Sequence, residues 1–345
     1  MEPPGPGTSA PDATASAAGL ADVATPTTPR SGSLVFHAYR NGSRFACLLP
    51  GRVATAAERP AGAALALALR PRRWLVERHL QRVHGGRLAP AALRRGVRRA
   101  FESYARYWIE SFRLPVLSGE EIDAGMWAEG LGHLDAALAR GNGAILALPH
   151  LGGWDFGGAW LVRRGYPLTA VVEPVHPPEL LAWFSDLRAD MGLAVVPLGP
   201  QAGSAVLAAL RDNRVVALVC DRDIGGGGVE VDFFGEGTSL PAGPVTLALR
   251  SGAAILPTAV YFEGRQGHRG EIRAALATER TGRFRDDVAR LTQDLAGGLE
   301  SLIRAAPEQW HLLQPNWPSD RASMEAARPM SSHRRRRQSR RDPLH

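Results

Sequence analysis

The chain contains no lysine: all 41 of its basic residues are arginine, in 345 residues rich in alanine and glycine. Such a bias accompanies GC-rich coding, so abundant arginine is not in itself a sign of phosphate binding. A GxxxxGK[ST] phosphate loop is absent, as is a convincing GxGxxG dinucleotide site. Only two cysteines occur, Cys47 and Cys220, far apart and each in an apolar run. That excludes a disulfide framework and a thiolate metal site, and it fits reduced core residues in a cytosolic environment. No GxSxG elbow supplies a hydrolase nucleophile, and no helix-turn-helix, zinc finger or aromatic RNA-binding signature is found. Arg44, Arg52, Glu58, Arg59 and Arg70 interrupt the most apolar N-terminal stretch, so nothing reaches the ~20 apolar residues needed to span a bilayer. Residues 1–33 are mostly Pro, Gly, Ala, Ser and Thr, lack the charged start and apolar middle of a signal peptide, and read as a disordered extension.

What remains is globular: 45% hydrophobic and 22% charged, enough for one large core or two modest ones. The net charge of +7 is unevenly placed. Residues 44–113 hold 15 arginines against four acids, and from Arg328 onward seven arginines face Asp342 alone. An anionic membrane and nucleic acid are the partners such patches fit, beside ordinary solvated helix faces.

Residues 34–113 read as helices in which Arg, Trp, Tyr and Phe alternate with apolar residues, Pro90 suiting a first helical turn. Docking at a lipid headgroup layer and packing on the next domain are both open to such a segment. After Pro115 the pattern changes. Apolar strand-like runs at 144–149, 168–173, 193–198, 215–220, 229–234 and 253–262 alternate with helical stretches such as LDAALARG, FGGAWLVRRG and PELLAWFSDLRADMG. This predicts an α/β fold over 114–318, with a central, mostly buried β-sheet flanked by helices and preceded by the N-terminal helical segment. Ligands then collect at the strands' carboxyl ends. Residues 319–345 read as a disordered, Arg-rich tail.

His150 stands at the end of the run AILALP, followed by Leu151-Gly152-Gly153-Trp154-Asp155 and a helical stretch. An imidazole can take a proton at neutral pH if a partner fixes its tautomer and stabilises the imidazolium. A carboxylate five residues on, across a Gly-Gly turn, is placed to fold back onto the other ring nitrogen. The plainer alternatives are a helix cap for Asp155 and a carbonyl-bonded strand-end histidine for His150. No further His, Cys or carboxylate lies at ligand spacing around His150, so no metal is expected.

The segment LPHLGGWDFGG resembles the HxxxxD motif of the lysophospholipid acyltransferase superfamily, in the branch that includes the bacterial lipid A acyltransferases. AVVEPV, LVCDRDI, GVEVDFFGE and QWHLLQPNW, within a resemblance running from about Ala38 to Trp317, are similar to segments of the actinobacterial phosphatidylinositol mannoside acyltransferases. The resemblance implies a glycerol-3-phosphate acyltransferase-like fold. It implies that His150 deprotonates an acceptor hydroxyl, which attacks the thioester of acyl-CoA, while Asp155 orients the imidazole. It also implies that Glu230 of GVEVDFFGE lies beside the histidine, and that Glu173 and Arg188 line the site.

From the residues themselves, Asp221-Arg222-Asp223 follows a strand end, where an arginine flanked by carboxylates can bind an anionic headgroup or carrier phosphates, or serve as an ion-pair cluster over Gly225–Gly228. Strand alternation puts Glu230 with Asp232 and Phe234, opposite Val229, Val231 and Phe233. Trp183 and Phe184 suit an acyl groove or a core equally. The expected activity is therefore transfer of a long acyl chain from acyl-CoA, as co-substrate and without a cofactor, to a glycolipid hydroxyl. The resemblance and an arginine-only composition favour a mannose of phosphatidylinositol mannoside, at an anionic membrane surface on the cytoplasmic face of the cell membrane, with no nucleic acid partner. Other lipid acceptors, a lipid A precursor or a lysophospholipid, and a non-enzymatic basic surface module are the competing readings.

Overall fold

The computed structural model describes residues 29–327. Four helices come first: α1 (Pro29–Leu48), α2 (Gly51–Ala68), α3 (Arg70–Val83) and α4 (Pro90–Arg113). Helix α2 gives way to α3 at Leu69, where Arg70-Pro71 begins the new helix. Proline has no amide to donate and is at home in a first turn. Short α5 (Gly119–Ala124), entered through a capping box of Ser118 and Glu121, leads to β1 (Met126–Glu129) and α6 (Leu131–Leu138).

Strand and helix then alternate: β2 (Ala144–Leu148), α7 (Trp154–Arg163), β3 (Leu168–Val172), α8 (Pro178–Asp190), β4 (Ala194–Pro197), α9 (Ala202–Arg211) and β5 (Val215–Val219). The hairpin β6 (Val229–Phe233) and β7 (Glu236–Leu240) follows, then α10 (Gly243–Ser251), β8 (Ala254–Glu263), β9 (Gly267–Ile272), α11 (Phe284–Ala305) and α12 (Pro318–Ala327). All six strand-like runs of the sequence are strands.

Seven strands form one sheet in the order β1-β9-β8-β2-β5-β3-β4. From β8 to β4 the neighbours are parallel, and β9 turns back antiparallel to β8 with β1 parallel to it. Every residue of β2 is buried, as befits a central parallel strand covered on both faces. The two-residue period divides that burial between two cores. Ile145 and Ala147 join Val216, Ile255, Leu295 and Leu299 on one side; Ala144, Leu146 and Leu148 join Phe156, Trp160 and Leu168 on the other. Burying each such Leu or Ile contributes about 1.5–3 kcal/mol before entropic costs.

The basic helices are not a separate body. Val76, Leu80, Val97 and Phe101 enclose Leu313 in a third core, and Gly62 lets α2 approach α4 so closely that a Cβ there would lie 2.7 Å from the Glu102 backbone. The boundary expected at 113/114 is thus continuous packing. The tail expected to be disordered from Ser319 is helical to Ala327, because Asp320, fully buried, receives Arg78 at 2.6 Å and Arg82 at 2.8 Å. Helix α1 likewise begins inside the extension assigned to 1–33. Residues 1–28 and 328–345, where the remaining extension and the Arg-rich tail were expected, lie outside the described residues.

Candidate active site

The loop after β2 is pinned on both sides. Gly152 donates to the Gln309 carbonyl (2.9 Å), Gly153 donates to the Val260 carbonyl (3.0 Å), and the His311 amide donates to the His150 carbonyl (2.7 Å). Gly152 sits at φ +63°, and a Cβ there would come within 2.0 Å of the Val260 oxygen. Only glycine can make this turn. It sends the chain from the strand end into α7, whose first turn carries Asp155.

The carboxylate at the imidazole is Asp221, not Asp155. The β2–β5 register sets Leu148 against Val219, so His150 and Asp221 stand level, each two residues past its strand. His150 Nδ1 lies 2.6 Å from Asp221 Oδ1, and the His150 amide donates to Oδ2 at 3.0 Å. The Trp310 indole N–H also donates to Oδ2 at 2.7 Å, while Asn316 donates its side-chain amide to the Asp221 carbonyl. Asp221 is completely buried. Burial alone would raise its carboxyl, but the charge and hydrogen bonds of His150, with the Trp310 donor, outweigh it and hold the group below the usual carboxylate range. An ionised Asp221 accepting from Nδ1 fixes the tautomer that presents Nε2 as the proton acceptor. His150 keeps 25% of its side-chain surface exposed, so an incoming hydroxyl can reach it.

Asp155 is fully engaged elsewhere. Arg188 grips it with Nε to Oδ1 (3.0 Å) and Nη2 to Oδ2 (3.1 Å); Tyr107 donates to Oδ2 at 2.8 Å, and Ser111 adds a longer contact at 3.4 Å. The expectation that Asp155 orients the histidine therefore fails: the first turn of α7 carries its carboxylate towards α4 and α8. Nor is it the helix cap, a position held by Gly153. Asp221, read as a substrate-binding residue, takes the orienting place instead.

Arg222 Nη2 donates to Glu173 at 2.6 Å, joining the carboxyl ends of β5 and β3, and its buried Nε has no partner among the described residues. Asp223 closes the glycine loop, accepting from the Gly226 and Gly228 amides and from Ser239. Glu230, expected beside the histidine, is exposed and makes no side-chain hydrogen bond among the described residues. Val231 and Phe233 commit the inner face of β6 to the core, and alternation turns Glu230 outward. Phe234 departs from the expected face: at φ +56° it opens a two-residue turn with Gly235 and is buried.

Three contributors were not picked out from sequence. Trp310 and His311 lie in QWHLLQPNW, a segment noticed only for its resemblance, and Tyr107 lies in a helix for which headgroup docking and packing on the next domain were both open. His311 is buried among Tyr104, Tyr107, Trp154 and Phe262, with its Nε2 at 2.8 Å from Ser103 Oγ. Burial, with His150 adjacent, pushes its imidazole down to about 3, so it stays neutral beside His150. Among the described residues no group of three or more His, Cys, Asp and Glu is placed to hold a metal ion.

A partly exposed histidine held by a buried carboxylate at the strand ends of such a sheet can accept a proton from a hydroxyl. The chain belongs to the bacterial lipid A biosynthesis acyltransferase family, whose model matches residues 34–319, and it is an acyltransferase. It is 46% identical over 226 residues to a phosphatidylinositol mannoside acyltransferase of Mycobacterium tuberculosis H37Rv, covering 64% of this chain and 70% of that protein. A Mycolicibacterium smegmatis protein of the same name is 41% identical over 239 residues, covering 67% and 75%. A lipid A biosynthesis acyltransferase of Haemophilus influenzae is 27% identical over 185 residues, covering 52% and 55%.

Proposed function

We propose that this acyltransferase moves a long acyl chain from acyl-CoA to a mannose hydroxyl of a phosphatidylinositol mannoside, with His150 as general base and Asp221 as its partner. The observation that carries the mechanism is the 2.6 Å contact between His150 Nδ1 and the buried Asp221 carboxylate. With Nδ1 so held, Nε2 takes the acceptor's proton, the oxygen attacks the thioester carbonyl, and the thiol of CoA leaves with a proton that His150 returns. General base catalysis supplies about 10²- to 10⁴-fold; positioning and electrostatics supply the rest. The mannoside acceptor rests on the names of the mycobacterial relatives and on their coverage of about two thirds of this chain.

No helix among the described residues is long and apolar enough to cross a membrane. The turn joining α1 and α2 exposes Phe45, Leu48 and Val53, flanked by the exposed arginines Arg44 and Arg52. Apolar tips ringed by cations suit peripheral docking on an anionic leaflet. We place the protein on the cytoplasmic face of the cell membrane, where acyl-CoA is available.

Purified protein with palmitoyl-CoA and a mannolipid acceptor tests the reading. Thiol release that requires the acceptor, with a product heavier by one acyl chain in mass spectrometry, is the expected result. Release without acceptor points to hydrolysis, and a lysophospholipid or lipid A precursor outcompeting the mannolipid points to another acceptor. His150→Ala retaining more than about a tenth of the wild-type rate would remove the general base from the scheme.

A further inference from the structure

We propose that Asn316 is a positioning residue for Asp221, and that residues 309–320 form a strap that carries it to the site. The inference rests on the reading of Asp221 as the partner of His150, and it concerns what holds that carboxylate in place.

Asp221 is gripped at two points by one segment. Trp310 donates its indole N–H to Oδ2 at 2.7 Å, and the Asn316 side-chain amide donates to the Asp221 main-chain carbonyl at 3.0 Å. Asp221 stands two residues past the last ladder pair of β5, so the sheet no longer fixes its peptide. A side-chain donor on its carbonyl does so instead. Asn316 is itself buried, and its own carbonyl accepts from Thr238 Oγ1 of β7 at 2.5 Å. The same segment holds the histidine: the His311 amide donates to the His150 carbonyl, and Gly152 donates to the Gln309 carbonyl.

Both ends of the strap are fixed. At the near end Gln309 pairs its side chain with the Phe262 backbone, accepting at Oε1 (2.7 Å) and donating from Nε2 (3.1 Å). At the far end Trp317, fully buried, donates to the Phe233 carbonyl at 3.2 Å and lies under the Arg82 guanidinium at 4.2 Å. Three residues on, the buried Asp320 takes Arg78 and Arg82, while Ser319 accepts from both arginines at 2.9 and 2.8 Å. Between the ends, His79 of α3 packs against Trp310 and Trp317 and bonds the Leu312 carbonyl through Nδ1 at 2.9 Å. A close-packed, hydrogen-bonded segment has few alternative arrangements. The donor at position 316 therefore meets the Asp221 carbonyl at a set place, and Asn316 acts on the chemistry only through that residue.

Asn316→Ala leaves the Asp221 carbonyl buried without this donor. In acceptor-dependent thiol release, kcat should fall by about 10- to 100-fold, as a small misplacement costs, with KM for acyl donor and mannolipid within about threefold of wild type. A smaller folded fraction would lower kcat in the same way, so the decisive measurement repeats the substitution in Asp221→Asn. There the orienting charge is already gone, and Asn316→Ala should lower kcat by less than about threefold further. Thr238→Val, isosteric and uncharged, removes the donor to the Asn316 carbonyl. It should lower kcat a few-fold at unchanged KM, again only while Asp221 is present, and it serves if Asn316→Ala fails to fold. The proposal is overturned if Asn316→Ala, or Thr238→Val in its place, keeps wild-type kcat, raises KM at unchanged kcat, or carries its full loss into the Asp221→Asn background. Asp221→Asn alone keeps the two readings apart: at wild-type activity it removes the assignment of the carboxylate, whereas a strongly impaired Asp221→Asn beside a wild-type Asn316→Ala overturns only the present inference.

Discussion

Replacing Asp221 with asparagine isolates the electrostatic part of the mechanism with little change of shape. Asp221 accepts three N–H bonds: the His150 amide and the Trp310 indole on Oδ2, and His150 Nδ1 on Oδ1. The amide oxygen of an asparagine can keep the first two. Its NH₂ group then faces Nδ1, which must become an acceptor, and the imidazole is driven to the tautomer with its proton on Nε2. That nitrogen can no longer take a proton from a hydroxyl. Any molecules still in the reactive tautomer lose the anion beside the imidazolium. Two unit charges ~4 Å apart at an effective dielectric of about 20 attract by about 4 kcal/mol, equivalent to about 10³ in rate. The expected result is a kcat lowered by about 10²- to 10⁴-fold with KM changed less than about threefold. The assay is acceptor-dependent thiol release from palmitoyl-CoA, with thermal unfolding to show that the variant remains folded. Trp310→Phe, which removes one of the three donors and leaves the charge, should cost about tenfold. If Asp221→Asn holds kcat within tenfold of wild type, Asp221 is not the partner of the imidazole in catalysis.

Three further outcomes follow from the geometry. Gly152→Ala should abolish soluble, active protein or lower its melting temperature by many degrees, because a Cβ would meet the Val260 oxygen at 2.0 Å in a backbone region that suits glycine; wild-type melting and activity would contradict the pinned loop. His311→Phe should reduce acid sensitivity, measured as denaturant unfolding at pH 7 and pH 4.5. The native imidazole is held down at about 3 and the unfolded one titrates near its ordinary value, so the unfolded chain binds the extra proton as pH falls from about 6.5 towards 3. This group can remove up to roughly 5 kcal/mol over the whole window and about 3 kcal/mol by pH 4.5, a loss that should shrink in the variant. Phe45→Ser/Leu48→Ser should reduce co-sedimentation with anionic vesicles and leave thermal stability intact, since these side chains are 65% and 82% exposed; unchanged binding would place the docking surface elsewhere.

The parts of the fold that the sequence announced are those whose burial is continuous. The central strands are apolar runs bounded by turns, and each is found where expected. β9 is legible only in hindsight: its buried positions are His268, Gly270 and Ile272, a set with little apolar pattern. β7 has the sequence EGTSL and takes its strand character from pairing with β6 across a two-residue turn. α12 reads as polar because its buried group is a carboxylate, Asp320, neutralised by arginines some 240 positions away. Partners that distant leave no local signature.

The same distinction explains the carboxylate at His150. Spacing along the chain favoured Asp155, five residues from His150, because a glycine turn can fold a side chain back. The turn does occur, but it feeds a helix, and a helix sets its first-turn side chains by its own rotation, not by where the preceding strand ended. Asp155 therefore points towards other helices. Asp221 is 71 residues away, yet hydrogen bonding between neighbouring parallel strands holds the two strand ends level, and each chain then supplies the second residue beyond its last ladder pair. The sheet ladder is stiff and the loop after β2 is pinned by Val260 and Gln309, so the 2.6 Å contact is set by backbone register before any side chain chooses a rotamer. In a parallel sheet, then, a polar residue just past one strand finds its partner most directly just past the neighbouring strand.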